Sequence, residues 1–380
     1  MRLGDICSKI GSGATPRGGK EAYSASGIPI IRSQNVLDWS FSSNGLAYLN
    51  DEQARTLSNV EVHQGDILLN ITGDSVARAC IVPSDVIPAR VNQHVAILRP
   101  KEKANATFIL AWLQTNKDLL LKLASSGATR NALTKRMLEG LDINLPSIDI
   151  QNHIAALISL IQSKINLNIK LNGYLLELAT TRFEQALFKS NRVVRLGDIV
   201  KLEDSKRVPL NSRDRDARKG PYPYYGATSI MDYVDDYLFD GIRVLLGEDG
   251  SVIDESGRPI LQYVWGKYWV NNHAHILAAA SDYSLEAIYI ALQRTPISHI
   301  VTGAVQRKIS QRNLNKLKLE MPDAKSLEYL QDIFAAYRCN CEENRGLVSL
   351  RDALLPKLMS GEIDVSKIDV AQLNSHLAEY

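Results

Sequence analysis

Arg2-Leu3-Gly4-Asp5-Ile6 opens the chain, and Arg195-Leu196-Gly197-Asp198-Ile199 says the same thing near its middle. Outward from this pentapeptide the repeat widens. Gly27, opening GIPIIRSQN, answers Gly220, opening GPYPYYGAT, at the same spacing. VNQHVAIL from Val91 returns as VNNHAHIL from Val270. Ser126-Gly127-Ala128 returns as Thr302-Gly303-Ala304, and Leu145-Pro146 as Met321-Pro322. The blocks keep their order while their spacing shortens, so the first copy carries extra residues between Asn35 and Ser126. Insertions of this kind fall in surface loops of a retained scaffold. The chain therefore encodes two similar globular units, residues 1–146 and 193–322.

Inside each unit, short aliphatic or β-branched runs alternate with Gly, Asn and Asp turns. Ile28 to Arg32, Asp66 to Ile71, Val91 to Leu98, Arg243 to Leu246 and Val270 to Leu277 predict strands. Thr107 to Leu123 and Ser284 to Arg294 predict helices. The fold class is α+β, with a twisted sheet in each unit.

After Pro146 the pattern changes to heptads. Ile154, Ile161, Asn168 and Leu175 are spaced by seven, as are Leu157, Lys164, Leu171 and Leu178. They predict an a/d seam on a helix from Asp149 to Phe188, roughly 60 Å long at ~1.5 Å per residue. The second copy is trailed by Leu330, Tyr337 and Asn344, with Ile333, Asn340, Leu347 and Leu354 beside them. Asn168 and Asn344 correspond; they read either as buried asparagines fixing register or as solvated polar positions. Pro356 should end or kink the second helix, with Gly361 as a stop. Neither helix can bury its seam alone. Antiparallel packing of residues 147–192 on 323–380 is the simplest solution and gives a pseudo-twofold molecule, two heads held apart by a coiled-coil spacer.

Composition bounds the function. The 380 residues carry 44 basic and 42 acidic side chains, a net charge of only +2, which excludes a general polycation but leaves local basic faces open. The four cysteines, Cys7, Cys80, Cys339 and Cys341, form no CxxC pair, so neither a zinc site nor a disulfide framework is indicated. No apolar leader and no run of ~20 apolar residues appears, so no membrane span is expected and a reducing cytoplasm is the natural compartment. No phosphate loop, dinucleotide turn or Pro-Pro-aromatic methylation tetrad is present. Glu248-Asp249 reads as a turn rather than a nuclease pair. No catalytic residue and no metal ligand is assigned.

RLGDI opening each half, GPYPYYGA at Gly220 to Ala227, YLFDGIRVLLGEDGS at Tyr237 to Ser251 and LLPKLMSGEI at Leu354 to Ile363 resemble type I restriction–modification specificity (S) subunits. The resemblance runs over essentially the whole chain. It implies a non-catalytic DNA-specificity subunit with two target recognition domains, each reading one half of a split duplex sequence. It also implies spacer helices that dock two modification (methyltransferase) subunits methylating adenine at N6, with restriction subunits, ATP-dependent translocase and nuclease, joining the core. S-adenosylmethionine, ATP and Mg2+ would then sit on those partners, with no cofactor in this chain. Two rivals stand beside this reading: an exchangeable S chain that alters methylation specificity, and a protein scaffold that does not read DNA.

Duplex reading needs Arg and Lys for phosphates and guanine, and Asn and Gln for adenine edges. In the first unit such residues are Arg32, Ser33, Gln34 and Asn35 after a strand, Arg17 and Lys20 in a Gly-rich loop, and Arg130 and Asn131. In the second they are Lys206, Arg207, Arg218 and Lys219 in a basic stretch, Tyr224 and Tyr225 at a strand end, and Gln306, Arg307 and Lys308. The stretch from Arg213 to Lys219 also holds Asp214 and Asp216, so it reads either as a phosphate contact or as a charge-paired loop. His94 and His273 match each other within apolar runs and read as hydrogen-bonded core histidines; Trp265 and Trp269, with Tyr263 and Tyr268, read as core. Ile158, Ile165, Ile169 and Leu176 read as an exposed apolar row that docks partners. A near-neutral chain of this kind is expected to bind DNA tightly only with its modification subunits attached.

Overall fold

In a computed structural model, residues 1–16, 18, 22–125, 131–303 and 306–368 are described. The chain forms two compact units. One takes Met1–Leu167 and the chain from Glu343 on; the other takes Asn168–Glu342.

The first unit has strands β1 (Cys7–Ser12), β2 (Ile28–Ile31), β3 (Ala47–Leu49), β4 (Glu61–Val62), β5 (Ile67–Asn70), β6 (Ala79–Ile81), β7 (Ala89–Val91) and β8 (Val95–Pro100). They form two four-stranded sheets, ordered β1-β8-β5-β6 and β3-β2-β7-β4. In the second unit, β9 (Arg192–Arg195) pairs with β20 (Lys318–Met321), and β18 (Val301–Thr302) with β19 (Lys308–Ile309). Between them lie β10 (Val200–Leu202), β11 (Lys219–Tyr225), β12 (Ile230–Val234), β13 (Phe239–Asp240), β14 (Arg243–Gly247), β15 (Leu261–Val264), β16 (Lys267–Val270) and β17 (Ala274–Ala279). Their sheets are ordered β10-β17-β14-β15 and β12-β11-β16-β13, which matches the first unit term by term. Even the parallel pairs correspond, β2 with β7 and β11 with β16. The α+β class expected from the runs is the one observed.

The RLGDI motif has a packing reason in both copies. Leu3–Ile6 and Leu196–Ile199 are one-turn helices whose Leu and Ile are buried. The Leu3 N–H donates to Leu141 O and the Leu196 N–H to Leu317 O, each at 2.8 Å. A side chain at Gly4 would meet Glu139 O at 3.1 Å, and one at Gly197 would meet Asn315 at 3.0 Å. A side chain at either position would be tighter than ordinary van der Waals contact and would push the neighbouring segment back by a few tenths of an ångström.

Two expected strands are broken. The run Val91 to Leu98 is two strands, with a turn after Val91, and Val270 to Leu277 likewise turns after Val270. The reason is the asparagine that follows each. Asn92 Oδ1 accepts the His94 N–H at 3.1 Å, and Asn271 Oδ1 accepts the His273 N–H at 2.8 Å. An Asx turn of this kind outcompetes the ladder locally. Asn116 similarly divides the expected helix from Thr107 to Leu123 into Ala106–Thr115 and Lys117–Ser125.

The long helices are Ile148–Lys189 and Tyr329–Ser360. Within the first unit their contacts run antiparallel: Gln162 accepts from Arg351 at 2.8 Å, and the Ile165 carbonyl accepts from Asn344 at 3.2 Å. Within the second unit, Asn172 meets Tyr337, Asn340 and Cys341. The expected line Ile154, Ile161, Asn168 is buried. Of the companion line only Leu157 is buried as expected; Leu171 and Leu178 are 43% and 44% exposed, while Ile158, Ile165 and Asn172 are buried beside it. Ile158 and Ile165 therefore belong to the seam, not to an outward row; Leu176 is partly buried against the second core, and only Ile169 of that row is exposed. The second helix shows the same one-residue displacement, with Phe334 and Leu355 buried rather than Ile333 and Leu354. Two seven-residue lines on one helix are each self-consistent, and which pair faces inward is set by the neighbouring surface. Of the two expectations for Pro356, an end to the helix is not met. It lies inside the helix, which continues to Ser360 and stops at Gly361 in the left-handed region, φ +78°.

Candidate nucleic-acid interface

Four loops of the first unit converge beside the ends of β2, β5 and β7. After β2, Ser33–Asn35 makes a 3-10 turn. Asn35 is fully buried and holds the loop: its amide donates to Ser42 O (2.9 Å) and Asn44 O (3.2 Å), and its carbonyl accepts from Arg32 N (3.0 Å). It is not a base-reading side chain, because every one of those bonds would have to break first. Arg32 is half-buried, donates to Gly45 O and stacks over Tyr23 at 5.7 Å. Ser33 and exposed Gln34 instead line an open hollow of about 830 Å³ with Asp74, Arg78, His94 and Asn131. Arg78 is exposed and had no signal in the sequence, lying between apolar Ala77 and Ala79. Arg17, Lys20 and Arg130 lie outside the described residues.

The same construction recurs in the second unit. The Gly73 N–H donates to Asn131 O at 3.3 Å, and the Gly250 N–H to Arg307 O at 3.0 Å. A β-bridge joins Thr72 to Ala132 in one and Asp249 to Lys308 in the other. His94 Nδ1 lies 2.6 Å from Thr72 Oγ1, and His273 Nδ1 lies 2.7 Å from Asp249 Oδ1. Both histidines sit half-exposed at the loop cluster, not in the core. Gln306, Arg307 and Lys308 are exposed there as well, Lys308 with its ammonium 3.2 Å from Glu248.

Two groups expected at this edge are elsewhere. Tyr224 is 1% exposed and its hydroxyl accepts from Leu210 N at 2.9 Å; Tyr225 is buried edge-on against Tyr268. In the parallel pair β11/β16 the two rings are buried in separate clusters, Tyr225 with Tyr268 and Tyr224 with Trp269, so the sequence misjudged a strand end as a surface. The basic stretch is charge-paired. Lys206 binds Glu203 (2.6 Å), Arg207 binds Glu248 (2.7 Å), Arg218 binds Asp235 (2.9 Å) and stacks on Trp269, and Lys219 binds Asp232 (2.8 Å). Of the two readings of Arg213 to Lys219, the ion-paired loop describes these contacts.

Behind the edge lies a buried ionic network. Metal-capable atoms of Asp204, Glu248 and His275 lie within 4.8 Å of one another. They are already spent on each other and on cations. His275 places Nδ1 2.6 Å from Asp204 and Nε2 2.8 Å from Ile309 O, Gln311 donates to Asp204 at 2.6 Å, and Arg207 and Lys308 take Glu248. Two cations on the carboxylates make this a closed salt-bridge cluster rather than a metal centre. Burial pushes the Asp204 and Glu248 carboxyls up, but the hydrogen bonds and charges of His275 and Arg207 outweigh it and hold both below their ordinary values. Glu248 thus anchors the loop from beneath, a role that reading it as a plain turn did not reveal.

The family model of the type I restriction modification DNA specificity domain matches residues 1–175 and 189–337. The chain belongs to this family. A family member built from two matched copies explains why one loop cluster occurs twice. The family's relatives include a putative type I restriction enzyme specificity subunit of Haemophilus influenzae, 30% identical over 127 residues, an alignment spanning 33% of this chain and only 32% of that protein. The type I restriction enzyme MjaIX specificity subunit of Methanocaldococcus jannaschii is 22% identical over 97% of this chain and 94% of its own length. The crystal structure of a type I restriction–modification S subunit from M. genitalium superposes with a TM-score of 0.56 at 15% identity, covering 94% of this chain and 95% of that one, and so shares the fold. These relatives are specificity subunits, the non-catalytic chains of their systems, and this family member stands with them rather than with enzymes. No helix among its described residues is long and apolar enough to cross a membrane.

Proposed function

We propose that the chain is the sequence reader of a type I restriction–modification complex and binds a bipartite duplex target. Residues 1–146 and 193–322 act as target recognition domains, one per half-site, and 147–192 and 323–380 act as the spacer. The observation that carries this reading is the paired loop cluster, held by the same Gly N–H to carbonyl bond at Gly73 and Gly250. Two copies of one edge suit two half-sites of one duplex. Ser33, Gln34, Arg78 and Asn131 in the first unit, and Gln306, Arg307 and Lys308 in the second, are the side chains offered to DNA. Arg32 serves the phosphate backbone from its stacked position.

Partner subunits supply what this chain lacks. Most cations of the basic stretch are spent on carboxylates, which supports weak binding by the isolated chain and tight, salt-dependent binding once modification subunits add phosphate contacts. Ile169, Leu171, Tyr174 and Leu178, each more than two-fifths exposed on one helix, form the docking surface for a modification subunit. Adenine N6 methylation with S-adenosylmethionine, and cleavage with ATP and Mg2+ by restriction subunits, belong to those partners.

The test is co-expression of the full chain with a type I modification subunit, followed by mapping of adenine methylation across a genome. A split motif with a methylated adenine in each half is expected. A stable complex that methylates nothing new would reduce the chain to a scaffold.

A further inference from the structure

His273 occupies the centre of the second unit's loop cluster, and its surroundings leave one ring atom available. The Asn271 turn caps the backbone N–H and swings the ring off the strand, so the side chain is 45% exposed although its neighbours on β17 are buried. Asp249 Oδ1 lies 2.7 Å from Nδ1. A carboxylate can only accept, so Nδ1 carries a proton, and in the neutral tautomer that this contact selects the lone pair sits on Nε2. Among the described residues the His273 ring makes its hydrogen bond through Nδ1, to Asp249, and none through Nε2. The carboxylate that sets the tautomer is itself held, because the Asp249 backbone bridges to Lys308 and the next residue donates to Arg307 O. An acceptor atom is thus presented on a loop whose backbone is joined to the segment carrying exposed Arg307 and Lys308.

That chemistry discriminates among DNA groups. A phosphate offers only lone pairs and cannot satisfy an acceptor. The groups that can are the amino protons on base edges in the major groove, N4–H2 of cytosine and N6–H2 of adenine. The adjacent exposed Arg307 would meet a phosphate, leaving the ring to face the bases. The first unit shows that this is a choice rather than a by-product of the fold. His94 stands at the matching turn with Nδ1 on Thr72, but Gln93 donates to its Nε2 at 3.0 Å and so occupies the lone pair. In the second unit exposed Asn272 takes the place of Gln93, and the lone pair is open.

We infer that His273 is a base-reading side chain of the second unit, accepting through Nε2 from a cytosine or adenine amino group, with Asp249 as its positioning residue. This rests on the DNA-reading role proposed above. It predicts an adenine or cytosine required at one position of one half-site.

The genome-wide methylation assay with the co-expressed complex tests it. His273→Ala should lower discrimination at that one position by about tenfold or more while the other half-site stays unchanged. The intact half serves as the control for folding and assembly. His273→Gln, whose amide oxygen reaches toward the same place, should restore part of the preference, and Asp249→Ala should weaken it by a smaller factor. An unchanged motif with His273→Ala, or a loss spread evenly over both halves, overturns the inference and leaves the DNA reading standing. If the unaltered chain yields no split motif, the DNA reading and this inference fall together.

Discussion

Asn340 donates a side-chain N–H to the side-chain carbonyl of Asn172 at 2.8 Å, joining the two long helices within the second unit. Asn172 is buried in the seam and spends its own amide on Tyr337 O (3.3 Å) and Cys341 Sγ (3.2 Å). A polar pair in an apolar seam fixes register, because any slip leaves it unsatisfied. Asn172→Ala should lower the stability of the second unit by about 1–2 kcal/mol, and a cycle with Asn340→Ala should show coupling of ~0.5–1.5 kcal/mol. Thermal unfolding of the four chains measures it. Strictly additive losses would mean that the two amides act independently.

Arg351 makes the corresponding contact in the first unit. It is 7% exposed, lies 4.9 Å over the Trp39 ring and donates to Gln162 at 2.8 Å. Arg351→Ala should cost about 2–3 kcal/mol from the lost stacking and charged hydrogen bond. Lysine keeps the charge but not the planar fork, so Arg351→Lys should recover less than half of that. Equal unfolding temperatures for the lysine and native chains would refute the role of the guanidinium plane.

Acid should weaken the second unit first. The Asp204, Glu203 and Glu248 carboxyls sit below their ordinary values of 3.8 and 4.5, because paired cations outweigh the upward push of burial. Depressed carboxyls contribute stability that is complete above those ordinary values and lost as pH falls through the lower folded values. Unfolding midpoints of the second unit should therefore be flat above about pH 5 and drop steeply below about pH 4. Asp204→Asn removes part of the drop and costs about 3 kcal/mol near neutral pH, since His275 then lacks its carboxylate. A midpoint for Asp204→Asn with the native pH slope would contradict this account.

Thiol labelling should separate the cysteines. Burial pushes the Cys7 and Cys80 thiols up to about 12, so neither forms thiolate at neutral pH, whereas Cys339 is exposed. A maleimide probe should label Cys339 within minutes and reach Cys7 and Cys80 only on the timescale of unfolding. Mass mapping of the labelled peptides reads the order directly, and early labelling of Cys80 would show that the β6 edge opens.

Much of the architecture is legible in the linear text. RLGDI marks both copies because its Leu and Ile are buried and a neighbouring segment passes close to the glycine between them, at Gly4 and at Gly197. The order of repeated blocks anticipates sheets that match strand for strand, and Asn35, Asn131 and Arg307 all lie in the loops that meet. Such features are readable because a turn, a close approach and a strand period are imposed within a few residues.

Local pattern in the chain was enough for the duplication, the α+β units and the two long helices. Tertiary structure decided which side of each element is inside. Two heptad lines ran along the first helix, and contact with the second helix chose Ile158 and Ile165 over Leu171 and Leu178. A parallel strand pair drew Tyr224 and Tyr225 into the core, and Asn271 turned His273 out of it. The carboxylates that neutralise Lys219 and Arg207 come from Asp232 and Glu248, distant in the chain. Burial and charge pairing are sums over neighbours brought in by folding, and local periodicity carries no record of who those neighbours will be.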